Sequence, residues 1–153
     1  MRMMKLTVVV MIVSMVIIIQ SCEKEGGNET KISHAGGTES HNMGKNCMGC
    51  HSSGGEGSGW FTAAGTAYNA AGTSTYSNVT VQLYTQPMGA GDLVATLYGD
   101  AKGNFYTTAA INFGSGVYPV ITGTGSSSYM LQSITQGACN SCHGVSTGKL
   151  YAN

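Results

Sequence analysis

From Trp60 to Ile134 apolar and polar residues alternate in short runs separated by glycine-rich turns, the pattern of strands that bury one face. In Val79-Thr80-Val81-Gln82-Leu83-Tyr84, Val79, Val81 and Leu83 fall on one side and Thr80 and Gln82 on the other, because successive side chains of an extended chain point to opposite faces. The same reading predicts strands over 61–68, 79–85, 93–98, 105–111, 117–122 and 129–134. Asp100-Ala101-Lys102-Gly103-Asn104 supplies a turn between two of them, with Gly103 free to take positive φ. No segment sustains a helical period. The expected fold class is all-β, a small β-sandwich over 60–135 flanked by mostly irregular N- and C-terminal segments.

The flanks follow other rules. Arg2 and Lys5 precede an apolar run from Leu6 to Ile19, shorter than the roughly 20 residues a spanning helix needs, so the start reads as a secretory signal. Residues 22–46 are polar and glycine-rich, with Ile32 the one large aliphatic side chain, and read as a tether that becomes ordered near His34 or His41. Residues 47–59 end in a glycine-serine stretch, expected to be a linker or a loop packed on a cofactor, and 136–153 form a short tail.

Candidate chemistry lies at the two ends of the mature chain. Cys47-Met48-Gly49-Cys50-His51 returns as Cys139-Asn140-Ser141-Cys142-His143, and both read CxxCH, the attachment signature of c-type haem. Two thiols add across the vinyl groups of one porphyrin, and the adjacent histidine ligates the iron. A four-cysteine zinc site or a pair of disulfides explains the cysteines but not the histidines. Histidine is 4 of 153 residues, so two directly after two CxxC pairs by chance has a probability on the order of 0.0007. The expected cofactors are two covalent haems, on Cys47 and Cys50 and on Cys139 and Cys142, with His51 and His143 as proximal ligands.

The only other histidines are His34 and His41, enough to give each iron a second imidazole. His41-Asn42-Met43-Gly44-Lys45-Asn46-Cys47 resembles a stretch of bacterial multihaem cytochromes c in which a histidine shortly before CxxCH is an axial ligand. That resemblance implies His41 as a distal ligand, and the count of four histidines for two irons makes His34 the other candidate. Methionine is the rival, as Met43, Met48, Met88 or Met130; Met48 lies between its own two cysteines, and Met88 and Met130 read as loop and core residues. An open iron site is the third possibility.

Two further resemblances extend the reading. Ile19-Gln20-Ser21-Cys22 resembles the lipobox of bacterial lipoproteins, and Glu23-Lys24-Glu25 resembles their surface-sorting signals. They imply a signal peptide over 1–21, lipid on Cys22, and attachment to the outer membrane at the cell surface. Export also suits covalent haem, which bacterial cytochromes c acquire outside the inner membrane. Gly65-Thr66-Ala67-Tyr68, Val79 to Leu83, Gly103-Asn104-Phe105 and Gly116-Val117-Tyr118-Pro119-Val120 resemble the carboxypeptidase-regulatory-like, transthyretin-like β-sandwiches of surface proteins. Those modules, broadly Ig-like, are usually non-catalytic, so Trp60, Tyr68, Phe105, Phe113 and Tyr118 are expected in the core or against haem.

Charge narrows the partners. Loss of residues 1–21 leaves five basic against seven acidic side chains, a net charge of −2, and no basic patch suits nucleic acid. Between Gly57 and Ala138 the only charged residues are Asp92, Asp100 and Lys102, which leaves little repulsion against self-association into a homo-oligomer or filament. The function this implies is electron transfer to partner cytochromes or an extracellular acceptor. A small haem peroxidase and a haem-bearing adhesion or scaffold module are the alternatives.

Overall fold

A computed structural model describes residues 28–153; the signal run and Cys22 lie outside the described residues. The chain forms seven strands in two sheets and, apart from single 3-10 turns, no helix among the described residues. The strands are β1 (Ala63–Thr66), β2 (Thr80–Tyr84), β3 (Leu93–Tyr98), β4 (Asn104–Thr107), β5 (Tyr118–Thr122), β6 (Ser127–Tyr129) and β7 (Gly137–Ala138). One sheet has the order β4-β1-β7, with β1 antiparallel to β4 and parallel to β7. The other is β3-β2-β5-β6, antiparallel throughout.

The expected alternation is present in β2, where Val81 and Leu83 are buried and Thr80, Gln82 and Tyr84 are half-exposed. Its register pairs Val81 with Leu97 and Ile121, so one apolar row crosses three strands and faces the other sheet. Opposite it, β1 and β4 contribute Ala63 and Phe105, and Val79, Val117 and Ala67 complete the core. Among the aromatics, Phe105 is core and Phe113 packs on its margin, whereas Trp60 is 40% exposed.

Both flanks are more ordered than their composition predicts. Ser33 N donates to Tyr106 O at 2.9 Å and Thr108 N to Lys31 O at 2.9 Å, so residues 31–33 lie along the free edge of β4, ahead of His34 and His41. The tail is likewise built in: Tyr68 N donates to Leu150 O and Ala152 N to Tyr68 O, both at 2.8 Å, and Ala152 is fully buried. Order in these polar segments comes from backbone pairing with a sheet edge, which composition does not register.

Candidate functional site

The two CxxCH segments fold into the same local unit. Each opens on a 3-10 turn, Cys47–Gly49 or Cys139–Ser141. In each, the histidine N–H donates to the carbonyl of the first cysteine, His51 to Cys47 and His143 to Cys139, both at 2.9 Å. In each, the first sulfur sits over the carbonyl two residues back, Lys45 O at 3.6 Å and Gly137 O at 3.5 Å. Within each motif the two cysteines and the histidine border one common cavity. All four thiols are free, with Cys50 and Cys142 exposed.

The loop after each motif fixes its histidine. The glycine-rich stretch after His51 folds back, and His51 Nδ1 lies 3.0 Å from Ser58 O and 3.2 Å from Gly59 O. After His143 the chain returns sooner, with Nδ1 2.8 Å from Gly148 O. A carbonyl can only accept, so Nδ1 carries the proton in both rings and Nε2 keeps a free lone pair. Gly57 is required there, because a Cβ would lie 2.8 Å from His51 Nδ1. The stretch expected as a linker or a loop packed on a cofactor thus holds the imidazole. Phe61 stacks on the His51 ring, centroids 4.3 Å apart and planes 9° from parallel, and Tyr106 stacks on Phe61 in turn.

Opposite His51 stands His41, with ring centroids 5.9 Å apart. Two imidazoles that share one iron, each about 2 Å away through nitrogen, have centroids about 6 Å apart. The separation matches that distance. A buried polar bracket holds the His41 segment. Asn104 Nδ2 donates to Ser40 Oγ at 3.0 Å and His41 O at 3.2 Å, while Thr66 Oγ1 donates to Asn104 Oδ1 at 2.6 Å. Gly44 N donates to Thr66 Oγ1 at 2.9 Å, and Gly44, at φ 81°, would drive a Cβ into the Tyr68 hydroxyl. Asp100 Oδ1 accepts from Lys102 N and Asn104 N and shapes the turn that presents Asn104.

The sheet β4-β1-β7 separates two cavities. On its outer face, His41, Cys47, Cys50, His51, Asn104 and Tyr106 line a hollow of about 240 Å³. On its inner face, between the sheets, lies a cavity of about 610 Å³, within the range of cofactor sites. Its walls are Ala63 and Phe105 on one side and Val81, Leu83 and Ile121 on the other, with Cys139, Cys142 and His143 along one border. Both 3-10 turns pack on β1. Its residues are all small and buried, and a Cβ on Gly65 would meet Phe105 Cζ at 2.5 Å and Cys139 Cβ at 2.9 Å.

Burial sets the thiol chemistry. Enclosure pushes the Cys139 thiol up to about 12, and the neighbouring Cys47 and Cys142 thiols add to the rise. Burial raises Cys47 as well. In the haem-free protein at pH 8, Cys139 is expected to alkylate at least about a hundredfold more slowly than exposed Cys142, because only the thiolate attacks. Timed alkylation with peptide mapping measures this, and equal rates would show an accessible sulfur.

Of the expected distal ligands, the fold brings His41 to His51 but leaves His34 exposed, on a turn held by Gly37 N to His34 O at 3.0 Å and Gly36 N to Asn78 Oδ1 at 2.9 Å. His34 lines neither cavity. Among the described residues no three His, Cys, Asp or Glu side chains converge on a metal position, whereas the zinc alternative needs four cysteines together. A porphyrin brings four nitrogens of its own and asks the chain only for axial groups. Among the described residues, too, no helix is long and apolar enough to cross a membrane. No family model, curated protein or solved structure matches the chain.

Proposed function

We propose that the chain is a dihaem c-type cytochrome that transfers electrons at the cell surface. The observation that carries this reading is the repeated unit at the two motifs: a 3-10 turn with two free thiols, followed by an imidazole whose Nδ1 is bound to a backbone carbonyl and whose Nε2 is free. A disulfide has no use for that tautomer, and although a zinc-bound imidazole would share it, a four-cysteine zinc site leaves both histidines unexplained. Cys47 and Cys50 hold one haem on the outer face, with His51 and His41 as axial groups. Cys139 and Cys142 hold the other between the sheets, with His143. When bound, each haem supplies a one-electron iron couple.

The chain's own work is positioning. The loops to Ser58 and Gly148 orient the proximal rings, and Asn104 and Thr66 hold His41 in place. The strand β1, without a side chain larger than threonine, keeps the two sites about one sheet layer apart, on the order of 10 Å. The two-sheet domain is of the transthyretin-like kind in this reading, and lipid on Cys22 holds it to the outer membrane. With electron transfer as the task, the chain is not an enzyme, and its partners are other cytochromes, an extracellular acceptor or further copies of itself.

Protein exported with its haem-ligation machinery, then denatured, is expected to keep its haem and to carry the mass of two porphyrins. Replacing both cysteines of either motif should remove one of them. Bound zinc in place of haem would overturn the reading.

A further inference from the structure

We propose that Met130 is the second axial ligand in the inner cavity, so that the two haem sites differ: histidine and histidine outside, histidine and methionine between the sheets. This rests on the dihaem reading and goes beyond it. The register decides where Met130 points. Val81 pairs with Ile121 and Leu83 with Pro119, and all four line the inner cavity. Ser128 pairs with Ile121 and so shares that face. Met130 comes two residues later and stays in line, its N–H donating to Pro119 O at 3.0 Å. Its thioether therefore projects from the four-stranded sheet into the cavity it lines, while His143 comes from the motif just after β7 on the opposing sheet. Tyr129, between Ser128 and Met130 in sequence, pairs with Val120 and has its ring edge beside Gly89, while the residue also borders the cavity.

Among the competing groups in that cavity, the imidazole and the ammonium are already engaged, and the Tyr129 and Tyr151 phenols ligate iron only as phenolates. His143 is its only imidazole. The Lys149 ammonium donates to Gly72 O at 2.8 Å and lies 4.2 Å from the centre of the Tyr68 ring, and it would have to lose its proton to ligate. A thioether needs no deprotonation and is at home on an apolar wall. Methionine ligation and a dry surrounding both raise a haem potential. The inner iron is then the one that holds an electron, and the outer, bis-histidine iron is the one that loses it first.

The test uses the oxidised holoprotein with both haems attached. A sulfur-to-iron charge-transfer band in the far red is expected, to be abolished by Met130→Leu with one of the two haems becoming high-spin. Met130→His should restore a low-spin haem at a lower potential, which separates ligation from folding, and Met88→Leu should change nothing. Two haems without that band, or a band untouched by Met130→Leu, would overturn the assignment and leave the dihaem reading standing. So would a low-spin inner haem that survives Met130→Leu but is lost in His34→Ala, the signature of a ligand donated by a second copy. Protein without covalent haem would overturn both.

Discussion

Replacing Cys139 and Cys142 together by serine is expected to abolish the cooperative thermal transition of the domain. The inner cavity of about 610 Å³ borders the apolar core that the two sheets form. Unfilled volume in a closed core costs about 24 cal/mol per Å³, and because this cavity opens along its border only its enclosed apolar part carries that cost. A domain of this size has a net stability of about 5–15 kcal/mol. Water entering from the border reduces the cost but cannot replace the lost apolar contact. The outer hollow, about 240 Å³ and bordered by the polar Asn104, Lys45 and Glu39, carries a far smaller penalty. Cys47→Ser with Cys50→Ser should therefore lower the melting temperature and keep a sharp transition. Near-ultraviolet circular dichroism followed through heating distinguishes the two. An inner-motif variant that melts as sharply as the parent protein would mean that the sheets close over the space unaided.

The second large effect is expected at His41. His41→Ala should convert one haem from low-spin to high-spin and let the reduced protein bind carbon monoxide, because in the proposed reading the ring 5.9 Å from His51 completes that iron site. The fold should tolerate the change, since the side chain is exposed. Asn104→Ala tests the bracket behind it. Asn104 is 1% exposed, and its removal leaves Thr66 Oγ1, Ser40 Oγ and His41 O without their partner. The cost of such a loss is about 1–3 kcal/mol. The variant should show the His41→Ala spectrum in part and a lower melting temperature as well. Spin state by electron paramagnetic resonance and melting by calorimetry separate the two contributions. If His41→Ala keeps both haems low-spin and closed to carbon monoxide, His41 is not a ligand.

Strand positions were legible wherever one face is dry and the other wet. The run 93–98 coincides with β3, and 79–85 and 117–122 overshoot β2 and β5 by a residue or two at their ends. The run 105–111 extends too far. Thr107 Oγ1 accepts from Ala109 N, bending the chain off the ladder after β4, and apolar content alone cannot register that turn. The run 129–134 is misplaced for a different reason. Its apolar residues Met130, Leu131 and Ile134 line the inner cavity, and only Ser127–Tyr129 pairs as β6. Apolar side chains gathered around a cofactor-sized space look like a strand in sequence.

The candidate site divides in the same manner. The motif cysteines and their histidines stand out in the sequence because they recur at one spacing, and each set folds into a single turn. The Asp100 to Phe105 turn was visible as a turn, but its second use, in fixing His41, depends on Thr66 and Ser40, distant in sequence. The proximity of both motifs to β1 was not legible at all. It arises from the parallel pairing of β1 with the two-residue β7, too short to carry a pattern.

That arrangement constrains how the sequence can drift. Ordinary strands have a permissive side, as β2 does at Thr80 and Gln82. Strand β1 has none, for Ala63 lines the inner cavity, Thr66 holds the segment of the outer site, Gly65 admits Phe105 and Cys139, and every position is buried. A larger residue introduced for the benefit of one site is paid for at the other, so the two cannot be tuned independently through the wall they share.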